Sequence, residues 1–115
     1  MIESVPRFLQ GVFQFAGAGL DKPTPLPMLS YTVPMSRRAQ LIYFRGGNSS
    51  SELAVVTLAR GGTTMRIFPV GAKSALHVPL VVVEDMEPDT AIQILVAAPE
   101  GALGAIVLDI GILEI

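Results

Sequence analysis

Residues 90–113 read TAIQILVAAPEGALGAIVLDIGIL, and this stretch decides the fold. Two runs rich in Ile, Leu and Val, 90–97 and 103–113, lie on either side of Pro99-Glu100-Gly101. Aliphatic runs of this length, separated by a turn built on Pro and Gly, predict two β-strands. The intervening segment is too short for a crossover helix, so the strands are expected to be antiparallel.

Five further runs of the same kind precede this pair, at 30–33, 40–45, 53–59, 63–68 and 75–83. Gly61-Gly62 predicts a tight hairpin, because both glycines accept a positive φ, and residues 46–50 (GGNSS) predict a longer polar loop. Pro79 predicts that its strand is bulged, split or at a sheet edge. This spacing of strands and turns predicts an all-β fold, a small antiparallel β-sandwich of about seven strands that is jelly-roll-like or immunoglobulin-like.

The N-terminal segment has two readings. Val5, Phe8, Leu9, Val12 and Phe13 follow helical spacing, but the segment is rich in Phe and contains Gly11, which is equally consistent with an edge strand. Residues 21–27 (DKPTPLP) predict an extended connector, because three prolines disfavour both helix and sheet. We therefore expect one domain over 1–115, with an arm and connector at 1–29 and the sandwich core at 30–115.

The composition is unusually apolar, with 50% hydrophobic and 16% charged residues. Soluble domains are typically about 25% charged, so part of the surface is expected to be covered. The later strands look apolar on both faces, and the expected partner is a second copy or a larger protein. Alternatively, the N-terminal segment of the same chain covers these apolar faces. The candidate interface residues are Val81, Val83, Leu95, Val107 and Leu113.

Net charge and cysteine content exclude several classes of partner and site. A net charge of −2 does not favour nucleic acid, and the absence of cysteine excludes disulfides and thiolate metal sites. No apolar run is long enough for a membrane span, and the N-terminus lacks the features of a secretory signal, so we expect a cytoplasmic protein. Basic residues concentrate in 37–73 and acidic ones in 74–115, which predicts either pairing within the domain or two patches of opposite charge.

The sequence contains no convincing catalytic set, metal site or cofactor motif, so we expect a non-enzymatic protein. His77 is the only histidine, and the acidic residues at 84, 85, 87 and 89 are interpreted as a solvated turn. Guanidinium groups bind carboxylates and phosphates well, so clustered arginines are a candidate anion site. The candidate anion-binding residues are Arg37, Arg38, Arg45, Arg66 and His77.

Two functions follow from these observations. The first is a structural or interaction protein that self-associates, or serves as a small accessory subunit, through an apolar β-sheet face. The alternative is a binding module for a small anionic or carbohydrate-like ligand that uses the clustered arginines.

Overall fold

Two five-stranded antiparallel sheets form the fold in the computed structural model, which describes residues 3–115. Strands are numbered in chain order. Sheet A runs β1 (Val5–Ala16), β10 (Leu103–Glu114), β4 (Ala39–Asn48), β7 (Ala75–Pro79), with β8 (Asp85–Met86) also paired to β4. Sheet B runs β2 (Thr24–Pro25), β9 (Ala91–Ala97), β5 (Ala54–Arg60), β6 (Thr63–Val70), with β3 (Tyr31–Thr32) also paired to β9. The predicted all-β antiparallel sandwich is confirmed.

Every predicted run contains a strand, and the structure adds β1, β2 and β8. The N-terminal segment is a strand, which resolves the choice between helix and strand. It pairs with the whole of β10, from Val5 opposite Glu114 to Ala16 opposite Leu103. This long hydrogen-bonded ladder outweighs the helical spacing, because intrinsic helix preference is weak against tertiary pairing. No helix among residues 3–115 is long and apolar enough to cross a membrane.

The turns and connectors follow the glycine and proline signals with two exceptions. The connector predicted at 21–27 is not free of sheet, because its residues Thr24 and Pro25 form β2 at an edge of sheet B, where a proline needs no donor. Gly61 and Gly62 have φ values of 55° and 82°, as the tight hairpin requires. Strand β7 ends at Pro79 and lies at an edge of sheet A. The predicted loop at 46–50 begins too early, because Gly46 and Gly47 lie within β4 and pair with β10 and β7. Their neighbours on both sides supply backbone partners, so these glycines extend the strand.

The core lies between the two sheets and is built by alternation along the strands. Ile106, Leu108 and Ile110 of β10 are all buried, whereas Val107 between them is about half exposed. Phe44 of sheet A stacks on Phe68 of sheet B, with ring centroids 4.1 Å apart and planes within 4° of parallel. The apolar residues on the inner faces are thus buried where one sheet packs on the other.

Glu114, at the end of β10, is a buried carboxylate that joins the two sheets. Its side chain is 2% exposed and accepts a hydrogen bond from Arg7 Nε at 3.2 Å. The Tyr31 hydroxyl, on sheet B, donates to the other oxygen of the same carboxylate. A buried charge is tolerated where it is paired and hydrogen-bonded, and both conditions are met here.

Alkaline pH is expected to weaken the fold through this contact. Burial, and then the hydrogen bond donated to Glu114, raise the pKa of Tyr31, so the folded protein holds the phenolic proton more tightly than the unfolded chain does. This stabilisation is complete below about pH 10, the ordinary pKa of tyrosine, and is lost as the pH rises above it. Urea unfolding between pH 8 and 11 measures the decline.

The Tyr31→Phe variant is expected to show a shallower decline in the free energy of unfolding over this range. The pKa of Tyr43 is also raised, so Tyr43→Phe should remove a separate part of the decline in the free energy of unfolding. If the free energy of unfolding of Tyr31→Phe fell with pH as steeply as that of the original chain, Tyr31 would not be the cause of the decline.

Candidate functional site

One row of side chains crosses the outer face of sheet A. In the strand register, Gln10 lies opposite Asp109, Asp109 opposite Arg45, and Arg45 opposite His77. Side chains at directly paired positions project from the same face of a sheet. The four strands β1, β10, β4 and β7 therefore each contribute one polar side chain to a single line, here called the polar row.

Asp109 is the centre of the polar row. Its Oδ1 accepts hydrogen bonds from Gln10 Nε2 at 3.1 Å and from the Tyr43 hydroxyl at 2.9 Å. Arg45 Nη1 lies 3.8 Å from its Oδ2, and the Arg45 side chain is 60% exposed, so much of the guanidinium faces solvent. Two hydrogen bonds and one ion pair thus orient Asp109, and Arg45 keeps N–H groups available for a ligand.

Tyr43 borders the polar row on one side. Its ring lies over Gly111, where an added Cβ would approach Tyr43 Cε2 within 2.0 Å, so only glycine leaves room for this position. The ring is also edge-on to His77, with centroids 6.3 Å apart and planes at 86°. Burial, followed by the hydrogen bond to Asp109, raises the pKa of Tyr43, so its phenol remains a donor to higher pH than an ordinary tyrosine does.

A groove of about 420 Å³ borders the polar row on its other side. Val107 of β10, Gly47 of β4 and Ala75 of β7 are paired across the sheet and form a low apolar strip beside Arg45 and His77. Because Gly47 has no side chain, the backbone there is open to a ligand. The groove therefore combines an apolar floor with charged and hydrogen-bonding groups along one side, an arrangement typical of small-molecule sites.

The structure brings together only two of the five predicted anion-binding residues, Arg45 and His77. Arg37 donates to the backbone oxygen of Glu3 at 2.7 Å, and Arg38 lies 3.7 Å from Asp85. Arg66 belongs to sheet B, where its guanidinium lies 5.6 Å from the Phe68 ring centroid. The expectation that all five converge is wrong, because sequence proximity does not place residues on the same sheet or the same end of a strand.

The five candidate interface residues also lie on different surfaces. Val81 and Val83 are in the loop after β7 and are 94% and 37% exposed, because the strand predicted to contain them ends at Pro79. Leu95 is half-buried on sheet B. Val107 and Leu113 lie on sheet A, the first about half exposed and the second half-buried. They do not form one apolar face.

The acidic segment after β7 forms ion pairs within the chain. Glu84 contacts Arg60 at 3.1 Å, and Glu87 lies 3.9 Å from Arg38. These pairs join the basic middle of the sequence to its acidic C-terminal part. In the described part of the chain, no three His, Cys, Asp or Glu side chains are grouped so as to hold a metal ion.

Sequence reasoning missed Gln10, Tyr43 and Asp109 as site residues. Each stands alone in an apolar run, and nothing in the local sequence links residues 10, 43 and 109. The available signal was that Asp109 is the only charge in the apolar run 105–113. Locating its partners required the strand order, in which β1 and β4 lie on either side of β10.

No protein-family model matches this chain, and no curated protein matches it by sequence. Among solved structures, it is similar to the CBM36-1 domain, a carbohydrate-binding module, of a multidomain xylanase from the hindgut metagenome of Trinervitermes trinervoides. That match has a TM-score of 0.63 and 19% identity, and covers 94% of this chain and 96% of the other. The chain is also similar to a structure of infectious bursal disease virus, Gt strain, with a TM-score of 0.53, 11% identity and coverage of 96% of this chain but 32% of the viral chain. At these identities the similarity shows the β-sandwich fold.

Proposed function

We propose that this chain is a binding module that holds a small carbohydrate-like ligand on the outer face of sheet A. The observation that carries the proposal is the polar row, in which Asp109 and Arg45 present an acceptor and a donor side by side next to an open groove. The similarity in fold to a module of a xylanase supports the same class of function. Catalysis is not part of the proposal.

The chemistry of the polar row favours a carbohydrate-like ligand over a simple anion. A sugar hydroxyl both donates and accepts, so it can donate to Asp109 and accept from Arg45. The apolar strip along Val107, Gly47 and Ala75 is suited to the C–H face of a sugar ring. A compact anion at Arg45 would instead lie close to the Asp109 carboxylate, and like charges at that range repel.

Titration of the ¹⁵N-labelled chain with xylotriose, cellotriose and inorganic phosphate tests this assignment. We expect one of the trisaccharides to shift the amide signals of Arg45, Gly47, His77 and Asp109, and phosphate to leave them unchanged. Shifts caused by phosphate alone would replace the carbohydrate proposal with an anion site. No shift with any of the three probes would contradict it.

Arg45→Ala is expected to weaken trisaccharide binding by about 10- to 100-fold, which corresponds to loss of hydrogen bonds from a charged donor. Arg37→Ala is the matched control, since it removes the same charge away from the groove and should bind as the original chain does. Equal weakening in both variants would show that net charge, and not the polar row, determines binding.

Self-association, the other function expected from the sequence, is a second candidate. It is favoured by Phe8 and Val12 of β1, which are 55% and 65% exposed on the same outer face. Light scattering of the native chain measures its mass, and a 12.2 kDa species at all concentrations would remove this candidate.

A further inference from the structure

Strand β1 is an unusually open sheet edge. It has twelve residues and, in the part of the chain that the structure describes, pairs only with β10. Natural proteins protect edge strands by making them short or by placing Lys, Pro or bulges in them. Here the only charge is Arg7 and the only proline is Pro6, both near the start of the strand. The segment from Phe8 to Ala16 carries no such protection.

The register shows which backbone groups of β1 point away from the molecule. Gly17 N donates to Ala102 O at 2.7 Å, which continues the register between β1 and β10. In an antiparallel pair, only alternate residues bond to the neighbouring strand. The odd-numbered residues of β1 therefore bond to β10. The N–H and C=O groups of Phe8, Gln10, Val12 and Gln14 point outward.

We propose that two copies of this chain associate by pairing their β1 strands antiparallel, so that sheet A continues from one copy into the other. With the twofold axis at Gly11, Gln10 of one copy faces Val12 of the second, and Phe8 faces Gln14. Each outward N–H then meets an outward C=O of the other copy. This association does not depend on ligand binding at the polar row.

The side chains of β1 are compatible with this pairing. On the inner side, Leu9 would lie opposite Phe13 of the second copy, and both are only partly buried within one copy. Arg7 is already paired with Glu114 of its own chain. The two Arg7 residues would be eight positions apart, about 27 Å at 3.4 Å per residue, which is well beyond the screening length at physiological salt.

The other sheet edges favour a second copy of β1 as its partner. Strand β7 has only five residues and ends in Pro79, and β6 contains Pro69. The remaining edge of sheet B is divided between β2 and β3, which have two residues each. Among the described residues, β1 therefore has no partner of matching length and openness except itself.

Amide hydrogen exchange at low and high protein concentration tests the proposal residue by residue. We expect Leu9, Gly11 and Phe13 to exchange slowly at both concentrations, because they bond to β10. Gln10, Val12 and Gln14 should become slow only at the high concentration, at which light scattering should report twice 12.2 kDa. A chain that stays monomeric at about 1 mM, or a dimer in which these even-numbered amides still exchange fast, would overturn the proposal.

Val12→Pro removes one outward N–H and leaves the ladder to β10 intact, and it should raise the dimer dissociation constant by at least about 30-fold. Val12→Thr keeps both the N–H and the branched side chain, so it should dimerise normally. Gln14→Pro is the second test variant, should Val12→Pro not fold. Folded proline variants that dimerise like the original chain would refute the β1 pairing. Protection of the even-numbered amides by an added extended peptide, with the chain still monomeric, would identify a peptide-docking edge instead.

Discussion

Replacing Phe44 with Ala is expected to lower the free energy of unfolding by about 3–5 kcal/mol. The Phe44 ring is fully buried and stacks directly on Phe68, so it joins the two sheets at the centre of the core. A Cβ on Gly46 would lie 2.9 Å from the same ring, so the ring also packs tightly against its own strand. Its removal leaves a cavity that a two-sheet core closes poorly. Urea unfolding followed by circular dichroism measures the loss.

Phe8→Ala is the matched control for this prediction. Phe8 is 55% exposed on the outer face of sheet A, so its removal should cost less than about 1 kcal/mol. Both variants should be measured at a concentration at which the chain is monomeric. Equal losses in the two variants would mean that the Phe44–Phe68 stack has no special part in stability.

Asn48→Asp is expected to destabilise the fold by about 3 kcal/mol or more, although the two side chains have nearly the same shape. Asn48 is buried, and its Nδ2 donates to Glu52 O at 2.8 Å and to Val70 O at 3.1 Å. Its Oδ1 accepts from Ser50 N at 2.9 Å. A carboxylate would keep the last contact but would face these two carbonyl oxygens, and that of Gly71 at 3.3 Å, without a hydrogen to donate.

Gln93→Glu makes the same amide-to-acid change at an exposed position of β9 and should alter stability by less than about 0.5 kcal/mol. Thermal and urea unfolding of both variants provide the comparison. If the two substitutions had equal effects, the Asn48 hydrogen bonds would not be holding the loop after β4 in place.

The sandwich could be predicted from the sequence because its signals are local. The alternation at 105–113 places Ile106, Leu108 and Ile110 on one side, and a strand that buries one face must alternate in this way. Gly61-Gly62 specified a hairpin for a similarly local reason, the positive φ at both residues. The sequence of β1 suits both helix and strand by its spacing. Only its hydrogen-bonded pairing with β10 determines that it is a strand.

The candidate site could be predicted only in part. The chemistry of Arg45 and His77 suits an anion site, and the register places them side by side. Arg37, Arg38 and Arg66 have the same chemistry as Arg45, but they lie elsewhere. Asp109 is a single charge in an apolar strand and carries no local sign of a site, although it accepts hydrogen bonds from two other strands.

The sequence by itself determined that this chain forms antiparallel strands and where most of its turns fall. Residue type and spacing control these features through backbone geometry and the burial of apolar side chains, which act over a few residues. Only the tertiary structure decided that β10 lies between β1 and β4 and that Gln10, Asp109, Arg45 and His77 form one row. Strand order depends on how two whole sheets pack and on which distant edges find hydrogen-bond partners. No local pattern contains that information.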